Sequence, residues 1–302
     1  MSEPQLILIT GASGLIGSAL TKALEADGHK VLRAVRERVE NPQQEIRWSP
    51  DRGEIDESRL AGIDAVVHLA GANIAGKRWT ESYKKEILES RTKGTRLIST
   101  AIAKMEQKPR AFICASAIGY YGDRGAAELN ESSTPGDDFL AEVCLQWERA
   151  SDPANEAGIR TVNTRIGVVL SPEGGALKSM LFPFKMGVGG VIGDGKQSMS
   201  WIALDDVVGA MQFLLAKDSV SGPVNLVSPQ PATNREFTKT LGKVLSRPTI
   251  LPMPAFAARL AFGEMADALL LSSTRVVPER LLAEGYAFQY PQLRPALLHL
   301  LK

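Results

Sequence analysis

A chain of 302 residues with 44% hydrophobic side chains can bury a full core, as one large domain or two coupled ones. Its formal net charge of +1 gives no electrostatic case for nucleic acid or an anionic membrane as a partner. Met1-Ser2-Glu3-Pro4-Gln5 lacks a secretory signal pattern, and the apolar stretch Met253 to Leu271 is interrupted by Arg259, Glu264 and Asp267, so a cytoplasmic protein without a membrane span is expected.

The chain opens with an apolar run, Gln5–Thr10, that reads as a buried strand. It ends in Gly11, Gly14 and Gly17 at G-x-x-G-x-x-G spacing, and an amphipathic helix pattern, Leu15–Asp27, follows at once. Each glycine has a physical task. Gly11 turns the chain sharply out of the strand. Gly14 leaves the backbone open to a pyrophosphate. Gly17 lets the helix pack against the sheet. The loop from Gly11 through Ser13, Gly14, Leu15 and Ile16 would then present N–H groups and the helix dipole to the phosphates of a dinucleotide.

Lys30–Val35 is the second strand. Arg36 falls where it ends, with Arg33 and Arg38 nearby and Glu37 the one acid, a position late. An arginine at that place pairs with a 2′-phosphate, whereas a carboxylate would take a ribose 2′-OH, so NADP is expected over NAD. Gln44–Trp48 is a short strand candidate. Asp64–Ala70 is a strand whose end, Leu69-Ala70-Gly71, is small enough for backbone to approach the cofactor's ribose. His68 within it reads as a buried histidine, not a catalyst. A long helix, Thr80–Met105, is predicted with a break at Gly94. Strand Arg110–Ser116, helix Asp138–Ala157 and strand Arg160–Leu170 follow. This alternation predicts an α/β fold: a doubly wound, Rossmann-like parallel sheet with helices on both faces. After Ser171 the rhythm breaks into glycines and prolines. The expected organisation is an NADP-binding domain at 1–170 and a smaller C-terminal α/β substrate-side region at 171–302, interleaved with the end of the sheet. Cys114 and Cys144 fall in strand-like and helix-like patterns, which predicts buried free thiols. No Cys/His cluster has metal-ligand spacing, so no metal is expected.

The chain resembles the extended short-chain dehydrogenase/reductase family over nearly its whole length. Thr10 to Gly17 is similar to the cofactor motif of that family, and Asp64 to Gly71 to its D-x-x-x-H-x-A-(A/G) strand. Lys93-Gly94-Thr95 is similar to its N-x-x-G-T segment, with Arg91 where Asn is usual. Ser116-Ala117-Ile118-Gly119-Tyr120-Tyr121-Gly122 resembles the strand bearing the active-site serine. Gly193-Asp194-Gly195-Lys196-Gln197 with Trp201 to Val207 resembles a late segment beside the substrate. More narrowly, Lys77-Arg78-Trp79-Thr80, Tyr120-Tyr121 and Arg165 to Leu170 resemble a subgroup described as epimerase family proteins.

The resemblance implies a Tyr-x-x-x-Lys pair on the helix after the serine strand, the lysine lowering the phenol's pKa and holding the nicotinamide ribose. Phe139 and Val143 stand at those positions, and neither can transfer a proton. Three readings stay open. Ser116 with Tyr120 or Tyr121 forms a different acid/base site; substrate or water supplies the proton; or the chain binds NADP without turnover, as a sensor or scaffold. Tyr121 could equally line the substrate pocket. Arg165, Gln197 and Trp201 are the expected substrate contacts, with Lys185 and Asn225 nearby, and a structural salt bridge is the competing role for Arg165. The implied function is an oxidoreductase or epimerase acting on a small polar molecule, a nucleotide sugar being one candidate, as a monomer or homodimer.

Overall fold

Strand β1, Leu6–Thr10, is buried over almost its whole length, as a strand covered on both faces must be. Alternation along it feeds two separate cores. Ile7 and Ile9 face one helix layer and Leu8 the other. The computed structural model describes residues 3–302, so Met1 and Ser2 of the N-terminal segment lie outside the described residues.

Helix α1 (Leu15–Ala26) returns the chain to β2 (Lys30–Val35), and β3 (Glu45–Ser49) and the short β4 (Glu54–Ile55) follow. The chain then crosses to β5 (Ala65–His68), runs through α2 (Glu81–Ala103) and re-enters the sheet as β6 (Ala111–Ala117). After a small strand, β7 (Glu128–Leu129), helices α3 (Phe139–Arg149) and α4 (Asp152–Glu156) lead to β8 (Arg160–Ile166). The main sheet has the order β12-β8-β6-β5-β1-β2-β3-β4, where β12 is Gly222–Leu226. Its pairings are parallel except that of β3 with β4. Leu20 and Leu24 of α1 pack with Val207, Met211 and Leu214 of α6 (Leu204–Ala216) on one face. Ile98 and Ile102 of α2 pack with Phe112 and Trp147 on the other. This is the doubly wound α/β sheet that the alternating pattern predicts.

Between β8 and α6 lie β9 (Val168–Leu170), α5 (Gly175–Lys185), β10 (Ser198–Met199) and β11 (Trp201–Ala203). Beyond β12 come β13 (Ala232–Thr233), α7 (Asn234–Leu245), α8 (Ala255–Phe262), α9 (Glu264–Ala266), a π turn at Asp267–Leu271, β14 (Arg275–Val276), α10 (Glu279–Ala283) and α11 (Leu293–Leu301). Helices α5, α7 and α11 enclose a third apolar cluster through Leu181, Phe237, Leu241 and Leu297.

Three local differences from the sequence pattern have physical causes. Gly94 does not break α2. It is buried, and a Cβ there would lie 3.3 Å from the Trp48 ring and 3.5 Å from His68, so the glycine serves close packing. The predicted helix Asp138–Ala157 is two helices, because Pro153 sits in the first turn of α4 and lacks the N–H that a continuous helix needs. The predicted strand Arg160–Leu170 divides at Gly167, where a Cβ would lie 2.6 Å from the Ser200 carbonyl oxygen. From there β9 leaves the main sheet to pair with β11.

Cys114 and Cys144 are free and buried, and burial pushes the Cys144 thiol up to about 12. Among the described residues no group of His, Cys, Asp and Glu could hold a metal ion, and no helix is long and apolar enough to cross a membrane.

His68 is fully buried, with Nδ1 2.7 Å from Thr10 Oγ1, and its Nε2 finds no partner among the described residues. Burial lowers its pKa from 6.5 to about 3, so the folded chain binds fewer protons than the unfolded one. Its contribution is therefore complete above pH 6.5 and lost as pH falls below that value. Between pH 7 and pH 5, urea unfolding should show wild type losing about 2 kcal/mol more than His68→Gln. Equal losses would show that His68 carries no such linkage.

Candidate functional site

The glycine loop is built by backbone contacts that no side chain could share. Gly11 has φ +69°, and a Cβ on it would lie 2.9 Å from the backbone of Leu69 and Ala70. A Cβ on Gly17 would lie 2.2 Å from the Gly11 carbonyl oxygen. Gly14 is different. Its N–H donates to the Gly11 carbonyl at 3.0 Å, and a Cβ there would meet only that oxygen, at 3.3 Å, with open space beyond. Gly14 is also the N-cap of α1 and brings no side-chain acceptor, so among the described residues no side chain takes the first-turn N–H groups of Leu15 and Ile16. Ser13 and Gly14 are exposed. Exposed donors over a cradle that a Cβ would narrow fit a pyrophosphate. Thr10 Oγ1 accepts the N–H groups of Leu69 and Ala70 at 3.2 and 3.3 Å, which holds the end of β5 against this loop.

At the end of β2 the arginines divide. Arg33 is drawn onto Glu45 at 3.0 Å, whose other oxygen accepts the Glu40 and Asn41 N–H groups. Those backbone bonds, Asn41's first, hold the Glu45 carboxyl below its ordinary range. Arg36 is exposed and pairs with no carboxylate among the described residues. A free guanidinium past the strand end, on the glycine-loop side of the sheet, suits a 2′-phosphate.

Sheet register builds a second polar centre. Ser116, Arg165 and Asn225 stand opposite one another on β6, β8 and β12. Glu148 of α3 reaches this row. One carboxylate oxygen accepts from Ser116 Oγ and Arg165 Nε, both at 2.8 Å, and the other from Arg165 Nη2 at 2.9 Å. Arg165 Nη1 donates to the Tyr121 hydroxyl at 3.0 Å, and that hydroxyl donates to Asn225 Oδ1 at 2.7 Å. Burial would lower the charge of Arg165, but its bonds to Glu148 outweigh that cost and its pKa rises. Burial pushes the Tyr121 phenol up to about 12.

The structure therefore places Ser116 and Tyr121, expected as acid/base or pocket residues, inside a satisfied network. Arg165, expected at the substrate, occupies the structural salt bridge that was its competing role. Tyr120 differs. Its ring lies 3.4 Å from Arg165 Cζ, it is only half-buried, and its hydroxyl has no hydrogen-bond partner among the described residues. Gln197 donates to the Ile192 and Leu270 carbonyls at 3.1 and 2.9 Å, tying two loops together. Trp201 is fully buried and its indole donates to the Gln230 carbonyl at 3.0 Å, so its ring offers no surface to a ligand.

Phe139 and Val143 lie in an apolar cluster with Trp79, Tyr83, Ile87 and Leu140. The rings of Phe139 and Trp79 meet edge-on at 5.3 Å, and the Lys84 ammonium sits 5.0 Å over Phe139. Lys84 is held there by Glu264 at 3.0 Å, a hydrogen bond that raises its pKa. The positions that would hold a Tyr–Lys pair are thus filled as packing.

Glu148 escapes a motif search. Its signal is a charge four residues after Cys144, on the buried face of α3. Because Arg165 is only 3% exposed in its side chain, Glu148→Ala should cost about 3–5 kcal/mol of unfolding free energy in a urea titration. A loss below about 1 kcal/mol would mean that the pair adds only what a surface ion pair adds.

Residues 7–226 match the NAD dependent epimerase/dehydratase family, and residues 253–300 match a domain of unknown function, DUF1731. Epimerase family protein MT2273 of Mycobacterium tuberculosis is 45% identical over 292 residues, 97% of this chain and 96% of that protein. The crystal structure of human epimerase family protein SDR39U1 with NADPH is similar at TM-score 0.89 and 37% identity, covering 98% of both chains. A nucleoside-diphosphate sugar epimerase structure from Corynebacterium glutamicum is similar at TM-score 0.83 and 36% identity, covering 99% of this chain and 58% of that one. With a match over most of its length, relatives at this identity and the cofactor-type glycine loop in place, the chain belongs to the NAD dependent epimerase/dehydratase family, as an extended short-chain dehydrogenase/reductase-like epimerase family protein.

Proposed function

We propose that this protein binds NADP(H) and exchanges hydride with a small polar substrate through a site that lacks the Tyr–Lys pair. The observation that carries this reading is Arg36. It is an unpaired arginine at the end of β2, beside a glycine loop open at Gly14, while Arg33 is already taken by Glu45. The NADPH held by the human relative supports the same preference. Bound there, the cofactor would supply the hydride. The loop from Gly11 to Gly17 would hold its pyrophosphate, Arg36 its 2′-phosphate, and Leu69, Ala70 and Gly71 would line its approach.

The proton balance of such a step does not fall to Phe139 or Val143. Ser116 and Tyr121 are committed to the Glu148–Arg165 network. Tyr120 keeps a free phenol and is the side chain we assign to proton exchange, with the substrate's own groups or water completing it. The region at 171–302 serves as the substrate side, and the likeness to the Corynebacterium nucleoside-diphosphate sugar epimerase favours a nucleotide sugar as the substrate class. A second reading, an NADP-binding protein without turnover, is favoured by the apolar packing of Phe139 and Val143.

Hydride transfer is tested with stoichiometric purified protein. Adding a metabolite pool should convert bound NADPH to NADP+, or the reverse, read by absorbance at the nicotinamide band. Persistent absence of exchange would support the silent binder. Arg36→Ala should weaken NADPH binding about 10- to 100-fold while leaving NADH binding nearly unchanged, because only NADPH carries the 2′-phosphate. Equal losses for both cofactors would remove Arg36 from the site.

A further inference from the structure

Arg91 is a cation in an unusual place. It lies midway along α2, its side chain is largely withdrawn from water, and among the described residues it meets no carboxylate. On its own helix the neighbouring positions are Ile87, Leu88, Gly94 and Thr95, none of which can neutralise it. One protein hydrogen bond is present, from Nη1 to the Ile87 carbonyl at 3.0 Å, out of the five N–H donors that a guanidinium carries. The group lies against the Trp147 ring, Cζ 5.0 Å from its centroid. Burial pulls its pKa below the ordinary value, countered in part by Cys144 and Tyr83 but, among the described residues, by no carboxylate.

The other side of Arg91 faces Gly71. A Cβ on Gly71 would lie 3.4 Å from Arg91 Cγ, 3.5 Å from Cζ and 3.7 Å from Nη1. Gly71 is exposed and directly follows Leu69 and Ala70, the residues pressed against Gly11. The guanidinium therefore sits one residue beyond the contact that closes the glycine loop. It is also on the α3 side, near Cys144, the residue after Val143.

Sheet order says which half of a dinucleotide would meet it. The glycine loop leaves β1, with β2 on one side and β5 then β6 on the other. Arg36 stands at the β2 end. A dinucleotide whose 2′-phosphate lies at Arg36 and whose pyrophosphate lies at Gly14 must carry its other half toward β5, β6 and α3. We propose that Arg91 supplies the fixed positive charge of this cleft, donating hydrogen bonds to the nicotinamide-side half of NADP(H) in place of the lysine whose position Val143 fills. This rests on the NADP(H) reading of the site. It assigns Arg91 to cofactor binding and moves no proton, because an arginine stays charged at neutral pH.

The test compares NADPH with 2′,5′-ADP, which carries the adenosine phosphates but no nicotinamide half, by fluorescence titration and calorimetry on the full chain. Arg91→Gln should weaken NADPH binding about 10- to 100-fold, the worth of a charge-assisted hydrogen bond, and leave 2′,5′-ADP affinity unchanged. Arg91→Lys should recover part of the NADPH affinity, because it keeps the charge. Arg36→Ala should weaken both ligands. Retained 2′,5′-ADP binding also shows that the Arg91→Gln protein is folded. Unchanged NADPH affinity in Arg91→Gln, an equal loss for both ligands, or a loss that Arg91→Lys does not restore at all would overturn the assignment. If wild type binds no NADPH, the cofactor reading itself fails. If wild type binds and Arg91→Gln is unaffected, the Arg91 assignment alone fails.

Discussion

Everything at the candidate site depends on how closely three backbone segments approach one another at the end of β1. The Gly11 carbonyl meets the start of α1 at Gly17, and the other side of Gly11 meets Leu69 and Ala70. These are contacts between main chains, so no rotamer change can relieve a methyl group placed between them. The approach fixes where α1 begins, and so where its free N–H groups point. It also brings the β5 end, with Gly71 and the Arg91 that rests on it, to the same opening. An opening at Gly14, with Arg36 at the end of β2 on one side and Arg91 beyond the end of β5 on the other, follows from one packing constraint.

Charge in this molecule is sorted by whether it has a partner. Arg33, Arg165 and Lys84 are each held by a carboxylate, Glu45, Glu148 and Glu264. These pairs join β2 to β3, β8 to α3, and α2 to α9, and they place side chains that line or support the cleft. Among the described residues Arg36 and Arg91 have no such carboxylate. The Ser116–Glu148–Arg165–Tyr121–Asn225 chain works the other way. Its bonds tie β6, β8 and β12 together and commit the Ser116 and Tyr121 hydroxyls to protein partners.

How much of this was readable from sequence depended on how local the signal is. Ile7 to Gly17 carries its strand, turn and helix start in adjacent residues, and the structure reproduces them. Lys30–Val35 and the apolar runs at β5 and β6 are of the same kind. Gly94 was read as a break and the division of the strand at Gly167 was not foreseen, because a glycine looks alike whether it breaks an element or admits a neighbour. The neighbours, Trp48 and Ser200, lie far away in the chain. The role of Arg165 turned on Glu148, 17 residues earlier, which belongs to no motif. Lys84 and Glu264 are 180 residues apart, and nothing near either one announces the other. Partners that meet only through the fold are invisible to spacing, and the candidate site is made mostly of such partners.

Strand β12 has a consequence for how the chain is made. It arrives at Gly222–Leu226, yet it is the strand that covers β8. Helix α6, Leu204–Ala216, supplies much of the apolar layer that α1 and β1 pack against. A fragment ending near residue 170 would have every residue of the glycine loop and still present a bare strand edge and an uncovered face. The sheet of the N-terminal half is therefore closed only by residues that come later in the chain. In that sense the glycine cradle, although encoded first, sits in a sheet whose edge and one apolar layer are completed by residues encoded after it.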